Sequence, residues 1–315
     1  MFCDALTAQQ CGVPRRLRAA ILCLALSAST SAGWASSLNY CQGDREPTAA
    51  VQDRLMQVAS IVKTELEGSG QRMALVARSG LALQRLKQRY SHAGIALKQS
   101  ANAPWSVRQL YYACDAQRPR IFDQGMAGFV LGAHDPAEGY ISIVLLPEEA
   151  ADALEHAALD DRSALQLLGG NYSANAYAFS QTYQNCNQWL VELLALAWGT
   201  EKLADASRAQ TQRWLREAGY EPSVLHLGWR ALIWLADWLP WLHTDDHPQD
   251  DLAAAQLQVS MPQSIEAFVH ARLPEATRIE LCYTEQQVVL HHGWEPMPDG
   301  CQSSPGDEVL ELATR

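Results

Sequence analysis

Apolar residues recur at helical spacing in the first long segment of the chain and then in short extended runs. Residues 48–67 carry apolar side chains on one helical face, with Thr48 as a cap and Gly68 to Gly70 as the end. The pattern that follows predicts strands at 72–77, 90–98, 105–112 and 139–146, a short helical turn at 81–88, and helices at 148–157 and 186–198. Strands and helices mixed in this way are typical of an α+β fold.

The pattern changes after Gly199. It then predicts helices at 207–218, 224–239 and 264–270, and a hairpin of two strands at 278–284 and 286–292. In and just beyond the helix at 224–239 lies a row of tryptophans that indicates core or an aromatic lining: Trp229, Trp234, Trp238 and Trp241. We therefore predict a domain at 36–199 and, at 200–315, a helical, Trp-rich extension that packs on it and ends in a hairpin.

The composition indicates a folded, acidic protein. Of 315 residues, 48% are hydrophobic and 19% are charged, which predicts a substantial core and excludes global disorder. The net charge of −11 argues against a nucleic-acid partner, which would need a basic surface. Outside the first 35 residues, no uncharged apolar stretch is long enough to cross a membrane.

The first 35 residues have the pattern of a secretory signal peptide. Arg15, Arg16 and Arg18 precede an apolar run at 19–28, and small residues follow up to a cleavage position after Ala35. We therefore expect an exported protein that is periplasmic or peripheral to a membrane.

The cysteines sharpen this expectation. Three of the eight lie in the leader, which leaves an odd number for an oxidising compartment. Cys282 and Cys301 would close a short loop, and Cys41 would reach Cys114 if the N-terminus of the mature chain folds back. Cys186 is then the unpaired thiol. Spacing alone does not determine these pairings.

Two segments contain the residue types of a cysteine hydrolase. On the strand at 90–98, His92 precedes a small residue and Gly94, and at the start of the helix at 186–198, Cys186 stands among Asn and Gln. The positive end of a helix stabilises a thiolate, and a His on a neighbouring strand can pair with it and later protonate a leaving group. The Cys186 N–H would face a developing oxyanion. Taken separately, a lone His is more often a core residue and a lone Cys a small hydrophobe.

The runs YSHAGIAL at 90–97 and YQNCNQW at 183–189 resemble a known family of enzymes. They are similar to the circularly permuted branch of the papain-like, NlpC-type cysteine hydrolases, which includes lecithin–retinol acyltransferase-like proteins. The resemblance covers residues 72–199 and implies an antiparallel sheet packed on a helix with Cys at its N-terminus. With the segments SMPQSIEAF and HHGW, nearly the whole mature chain also resembles an uncharacterised family of exported bacterial proteins.

This resemblance assigns roles to three residues. Cys186 falls on the nucleophile and His92 on the base. The third, polar position lies on the strand after the His strand, where Gln109 is the candidate. Related sequences have His at that position, so Gln109 is a departure. The amide oxygen of Gln can orient an imidazole, but it carries no full charge to stabilise imidazolium.

The polar residues beside Cys186 have two interpretations. Asn185, Asn187 and Gln188 could line an oxyanion site or cap the helix, and capping is the more common role. Glu192 and Asp123 are interpreted as solvated or helix-terminal charges. Arg78 and Arg108 could offset an anionic substrate, although no spacing argument supports them.

A second candidate site lies in an acidic loop near the tryptophan row. Its possible ligands for zinc or calcium are His243, Asp245, Asp246 and His247. Such a cluster is more often an acidic surface loop, here ended by Pro248, and that interpretation is preferred.

The expected function is that of an exported thiol hydrolase, or an acyl or peptidyl transferase, that attacks an amide or ester carbonyl through Cys186 and His92. By resemblance, the partner is a substrate of the cell envelope: a cell-wall peptide, an isopeptide or a lipid acyl group. No cofactor is expected, and the oligomeric state stays open. Two alternatives remain: a non-catalytic binding or assembly protein on the same scaffold, and a metal-dependent hydrolase centred on the loop at 243–247.

Overall fold

The chain folds around one large antiparallel sheet. The structure is a computed structural model and describes residues 47–132, 135, 137–199, 206–228 and 239–313. Its strands are β1 Met73–Arg78, β2 His92–Leu97, β3 Ser106–Ala113, β4 Arg118–Gln124, β5 Gly139–Leu145, β6 Asn171–Tyr172, β7 Tyr183–Gln184, β8 Ser223–His226, β9 Gln256–Val259, β10 Thr277–Tyr283, β11 Gln287–His292 and β12 Glu308–Glu311. Together with the helices, these strands make the predicted α+β fold.

Eight of these strands form the central sheet, in the order β12-β11-β10-β5-β1-β2-β3-β4. All neighbouring strands in it are antiparallel. Arg78 of β1 lies opposite His92 of β2, and Leu145 of β5 lies opposite Thr277 of β10. Strands from the predicted C-terminal extension therefore continue the sheet that carries His92. Two smaller sheets pair β6 with β7 and β8 with β9.

Helices cover both faces of the central sheet. Those of the described residues are α1 Ala49–Gly68, α2 Met126–Leu131, α3 Glu148–Leu159, α4 Asp161–Gln166, α5 Cys186–Trp198, α6 Arg208–Glu217, α7 Gln249–Ala253 and α8 Pro262–Arg272. On one face, Phe129 of α2 meets Val76 and Ile143 in a core that includes the apolar side of α1. On the other face, α5 packs on β2 and β3, and Glu266 of α8 bonds Arg278 of β10 at 3.1 Å.

Most predicted elements are confirmed. The hydroxyl of Thr48 caps α1 by accepting a hydrogen bond from the Val51 N–H at 3.4 Å. The bounds of α5, Cys186–Trp198, are those predicted, and the helix ends at Gly199. The predicted hairpin is formed by β10 and β11, and the Thr284 N–H donates to the Gln287 carbonyl at 2.9 Å across its turn.

The helix predicted at 224–239 is wrong at its start. Residues 223–226 form β8, because Val224 and Leu225 pair with β9, and pairing in a sheet outweighs helical spacing over so short a run. The rest of that predicted helix, with Trp229, Trp234 and Trp238, lies outside the described residues. Trp241 is described and buried.

The cysteine pairing is confirmed where the structure describes it. Cys282 and Cys301 form a disulfide, and Cys186 is the free thiol of the described residues. Cys114 is disulfide-bonded, while Cys41, its predicted partner, lies outside the described residues, as does the predicted leader at 1–35. Among the described helices, none combines the length and the apolar character that crossing a bilayer requires.

Candidate active site

His92 is held at the first position of β2 by a chain of amide side chains. Its Nε2 lies 2.6 Å from Oε1 of Gln109 on β3, and Nε2 of Gln109 donates to Oε1 of Gln124 on β4 at 2.7 Å. Because the Gln109 oxygen can only accept, Nε2 of His92 carries the proton. Nδ1 is therefore left with a lone pair, and among the described residues it has no hydrogen-bond partner.

Cys186 is the first residue of α5 and is docked against the same strand end. The backbone N–H groups of Asn187, of Cys186 itself and of Ala93, the residue after His92, favour its thiolate and so oppose the effect of burial on the pKa of the thiol. The side chain of Asn187 donates to the carbonyl of Ser91, the residue before His92, at 3.2 Å. The start of α5 is thus joined to the start of β2.

The imidazole of His92 and the thiol of Cys186 both lie at the start of β2, but they are not bonded to each other. The His92 ring lies on the face covered by α1 and α2, where its centroid is 4.8 Å from that of Tyr111 and 6.1 Å from that of Phe129. The side chain of Ala93, the next residue of β2, points to the opposite face of the sheet, on which α5 packs. Within the described residues no hydrogen bond joins His92 to Cys186.

Both groups are neutral at pH 7. Burial raises the pKa of the Cys186 thiol to about 12, against the opposing effect of the helix N–H groups and of Arg78. Burial, and then the charge of Arg78, lowers the pKa of His92 to about 3. The resting ion pair of thiolate and imidazolium that the sequence led us to expect is therefore disfavoured, because removing both groups from water outweighs the helix terminus. Cys186 is 6% exposed and His92 8%.

Arg78 is the charged residue of this site. It is the last residue of β1, opposite His92, and donates from Nη2 to the Tyr111 hydroxyl at 2.9 Å and from Nη1 to the Ser79 carbonyl at 3.2 Å. Its guanidinium lies 5.4 Å from the centroid of the Phe129 ring. Among the described residues no carboxylate lies within ion-pair distance of it.

Asn185 is the N-terminal cap of α5. Its Oδ1 accepts from the Gln188 N–H at 2.7 Å, and its Nδ2 donates to two carbonyls at 3.4 Å. Gln188 also uses its amide nitrogen on backbone carbonyls, those of Ala178 and Ser180, at 3.2 Å. The preferred interpretation of Asn185 is thus confirmed, and the oxyanion donors that the geometry offers are backbone N–H groups at the start of α5.

Glu192 was interpreted as a solvated charge, and that interpretation is wrong. Its carboxylate is fully buried and accepts from Nε of Arg208 at 2.9 Å and from Nη2 at 3.1 Å. Gln184 and Gln212 donate to it at 2.7 and 2.6 Å. The cluster joins β7, α5 and α6, so its role is to hold the helix that carries Cys186. Asp123 pairs with Arg108 at 2.7 Å.

The acidic loop at 243–247 is built into the fold. His243 stacks on Tyr183 with ring centroids 4.3 Å apart, and the buried His247 bonds the Asn175 carbonyl at 2.8 Å. Asp246 accepts from the Tyr177 N–H at 3.0 Å, and Asp245 from the Tyr183 hydroxyl at 3.4 Å. Among the described residues no group of three or more metal-ligating side chains is assembled. The loop is therefore partly buried and not a simple surface loop.

A cavity of about 890 Å³ opens beside the strand end. The connection between β1 and β2 forms one wall, from Ser79 to Ala82 and from Lys87 to Tyr90, and α8 and β10 form the other. Neither Cys186 nor His92 lines this cavity, but Ser79 follows Arg78 directly and Tyr90 lies two residues before His92.

The sequence did not indicate Gln124 as a residue of the site, and it gave no spacing argument for Arg78. Gln124 was missed because β4, an edge strand with the sequence RPRIFDQ, has no apolar alternation. Arg78 was named without a spacing argument, although one signal was present: it ends an otherwise apolar strand, MALVAR, and a charge at the end of a buried run is unusual.

Comparisons with known proteins give a family but no activity. A family model described as an uncharacterized protein conserved in bacteria (DUF2145) matches residues 65–269, which include His92, Gln109 and Cys186. No curated protein and no solved structure matches the chain. Because the matched segment is more than half of the sequence, the chain belongs to the DUF2145 family.

Proposed function

We propose that this protein is a cysteine hydrolase or acyl transferase in which Cys186 is the nucleophile, His92 the base and Gln109 the residue that orients His92. The observation that carries the proposal is the bond between His92 and Gln109, fixed by Gln124, which leaves Nδ1 of the imidazole unprotonated and without a partner next to the docking point of α5. A neutral imidazole with a free lone pair is the form that a general base requires.

The proposed reaction starts from a neutral thiol. The thiol proton moves to Nδ1 of His92 as Sγ of Cys186 bonds the carbonyl carbon, and the carbonyl π electrons move to the oxygen. When the tetrahedral intermediate collapses, the leaving amine or alcohol takes the proton from Nδ1. Water or an acceptor amine then attacks the thioester by the same route, and the thiol is restored.

Backbone N–H groups at the start of α5 support this chemistry. The N–H groups of Asn187 and Cys186 favour the thiolate, as the positive end of a helix favours negative charge. We assign the developing oxyanion to these donors. Because the imidazole has no hydrogen bond to the thiol at rest, the proton transfer requires His92 Nδ1 and Sγ to approach when substrate binds, as catalytic hydrogen bonds often tighten only in the complex.

The wider setting is part of the same proposal. We infer a permuted papain-like core, because the His strand precedes the Cys helix and that helix packs on β2 and β3. The envelope substrates named above, met after export, are the candidate class.

The proposal is tested by hydrolysis of wall-derived peptides and of acyl esters by the purified protein and its variants. Cys186→Ser and His92→Gln are expected to lose activity by a factor of about 10³ or more, since each removes an essential part of the same unit. Gln109→Ala is expected to lose less, because it releases the imidazole without removing the base.

The matched control is His226→Gln, a histidine on the exposed side of β8, which should keep full activity. Activity that survives Cys186→Ser in a folded protein would refute the proposal. The low exposure and neutral thiol of Cys186 favour the rival function, a non-catalytic envelope protein. That rival would gain if no ester or amide is cleaved and Cys186→Ser binds envelope fractions as the parent does.

A further inference from the structure

Arg78 is a buried cation that has no counter-ion among the described residues. It is 5% exposed, and among the described residues its hydrogen bonds go to a hydroxyl and a carbonyl, while Nε has no partner at all. A charge taken out of water without an opposite charge destabilises the folded state. An anion that forms beside this guanidinium would offset that cost.

The surroundings are shaped to hold this guanidinium. A Cβ placed on Gly132 would lie 2.6 Å from Nη2 of Arg78, and one on Gly80 would lie 2.9 Å from Nη1. Both glycines therefore leave room that any other residue would fill. With Tyr111 on one side and Phe129 beneath, the arginine has one defined position.

That position is tied to the nucleophile and to the base. Arg78 and His92 are cross-strand partners and both contact Tyr111 and Phe129. The Ser91 N–H donates to the Arg78 carbonyl at 3.1 Å, and the Ser91 carbonyl accepts from Asn187. Two successive hydrogen bonds thus connect Arg78 to the residue after Cys186.

We propose that Arg78 supplies the fixed positive charge that stabilises the Cys186 thiolate and keeps His92 neutral. This rests on the function proposed above. Gln109 cannot supply a charge to this site. Arg78, which lies on the opposite side of the His92 imidazole, supplies it. At rest His92 is neutral and can accept the thiol proton. As that proton moves to Nδ1 of His92, Arg78 is the counter-ion of the thiolate that forms, so Arg78 is a positioning residue that acts through electrostatics.

Few other charged or titratable groups face this site. From the sheet these are His92, Tyr111 and Tyr283, and the pKa of Tyr283 is raised to about 12 by burial against the opposing charge of Arg78. Asp135 and Arg54 act on Tyr283 from further out. α2 contributes the Phe129 ring, and α5 contributes Cys186 with its backbone N–H groups.

The test compares two alkylating reagents of different charge. Cys186 is alkylated with neutral iodoacetamide and with anionic iodoacetate in the purified protein near neutral pH, and its peptide is quantified by mass spectrometry so that other thiols do not contribute. Arg78→Met is expected to slow the reaction with iodoacetamide about tenfold, the effect of one pKa unit on the thiolate fraction. The ratio of the iodoacetate rate to the iodoacetamide rate should fall as well.

Arg78→Lys keeps the charge and should restore most of both effects. Arg72→Met, which removes a half-exposed cation at the other end of β1, is the matched control and should change neither rate. A folded Arg78→Met protein with the parental rates and ratio would overturn the proposal.

A second measurement tests the proposal if alkylation of Cys186 is too slow to quantify or if Arg78→Met folds poorly. The His92 imidazole is titrated by NMR in the parent and in Tyr111→Phe, which removes one anchor of the guanidinium. The pKa of His92 should rise from about 3, and an unchanged titration would overturn the proposal. An Arg78 effect on thiol reactivity in a protein that cleaves no substrate would keep this inference and refute the proposed function.

Discussion

Two buried arginines show how differently one side chain is used in this fold. Arg208 is 8% exposed and Arg78 is 5% exposed, so both have left water almost completely. Arg208 makes two bonds to the Glu192 carboxylate and further bonds to backbone carbonyls, among them those of Ser180 and Tyr183. Arg78 donates to one hydroxyl and one carbonyl, and among the described residues no carboxylate accepts from it.

The difference separates support from function. In the resting protein the charge of Arg208 is already paired with that of Glu192, and this ion pair holds α5 against α6 and β7. Arg78 has no carboxylate partner among the described residues, and in our proposal the thiolate of Cys186 becomes its counter-ion during the reaction. Of the two buried charges, Arg78 is therefore the candidate for a functional role.

The largest expected effect breaks the complete cluster. Arg208→Met should lower the free energy of unfolding by about 3–5 kcal/mol, because it leaves the Glu192 carboxylate buried without a cation. Urea unfolding measures this. Arg213→Met, at an exposed position of the same helix, should change stability by less than about 0.5 kcal/mol. If Arg208→Met is as mild as this control, the cluster does not hold α5.

The next effect is the response of the Arg78 site to acid. The folded-state pKa of His92, about 3, lies below the unfolded value of 6.5, so the unfolded chain takes up the proton first as pH falls. The protonation of His92 therefore does not lower the free energy of unfolding above pH 6.5. Between pH 6.5 and pH 3 it lowers the free energy of unfolding progressively, by about 3 kcal/mol at about pH 4.

Urea unfolding at several pH values should show this loss in the parent, and less of it in His92→Gln. Arg78→Met should also weaken it, because protonated His92 would no longer meet a second positive charge. A profile that is the same in all three proteins would mean that His92 is not held neutral by its surroundings.

The smallest expected effect is the most informative for the comparison. Arg78→Met should leave the free energy of unfolding within about 1 kcal/mol of the parent or raise it, because an unpaired buried charge is removed. Thermal and urea unfolding both measure this. A loss comparable to that of Arg208→Met would show that Arg78 is structural, and the contrast between the two arginines would disappear.

Much of the fold was predictable because its signals are local. Thr48 caps α1, Gly199 ends α5, and apolar runs bounded by turns mark β1, β2 and β5. β4 and β12 carry no such signal, since they lie at the two edges of the sheet and contain charged residues, as edge strands commonly do.

The residues proposed for the site could be named from the sequence, but their protonation states could not. Cys186, His92 and Gln109 have residue types and spacings that indicate catalysis. Whether a thiol in such a place ionises depends on how much water reaches it, and that follows from helices packed from distant parts of the chain. The burial of Glu192, a charge in the middle of an apolar helix, could not be inferred from the sequence for the same reason. It depends on Arg208 and Gln212, which donate to its carboxylate from another helix.

The pairing of β5 with β10 has a consequence for how the protein comes to its final form. β1 to β4 lie close together in the chain, so the half of the sheet that carries His92 and Gln109 can assemble as soon as it is made. β5 must wait for residues 277–283, which lie beyond the segment matched by the family model, and a loop this long closes slowly. Until then β5 is an open edge, ready to pair with any other chain. The C-terminal strands cover this edge when β10 pairs with β5. A chain shortened at residue 269 lacks β10 and should aggregate rather than fold.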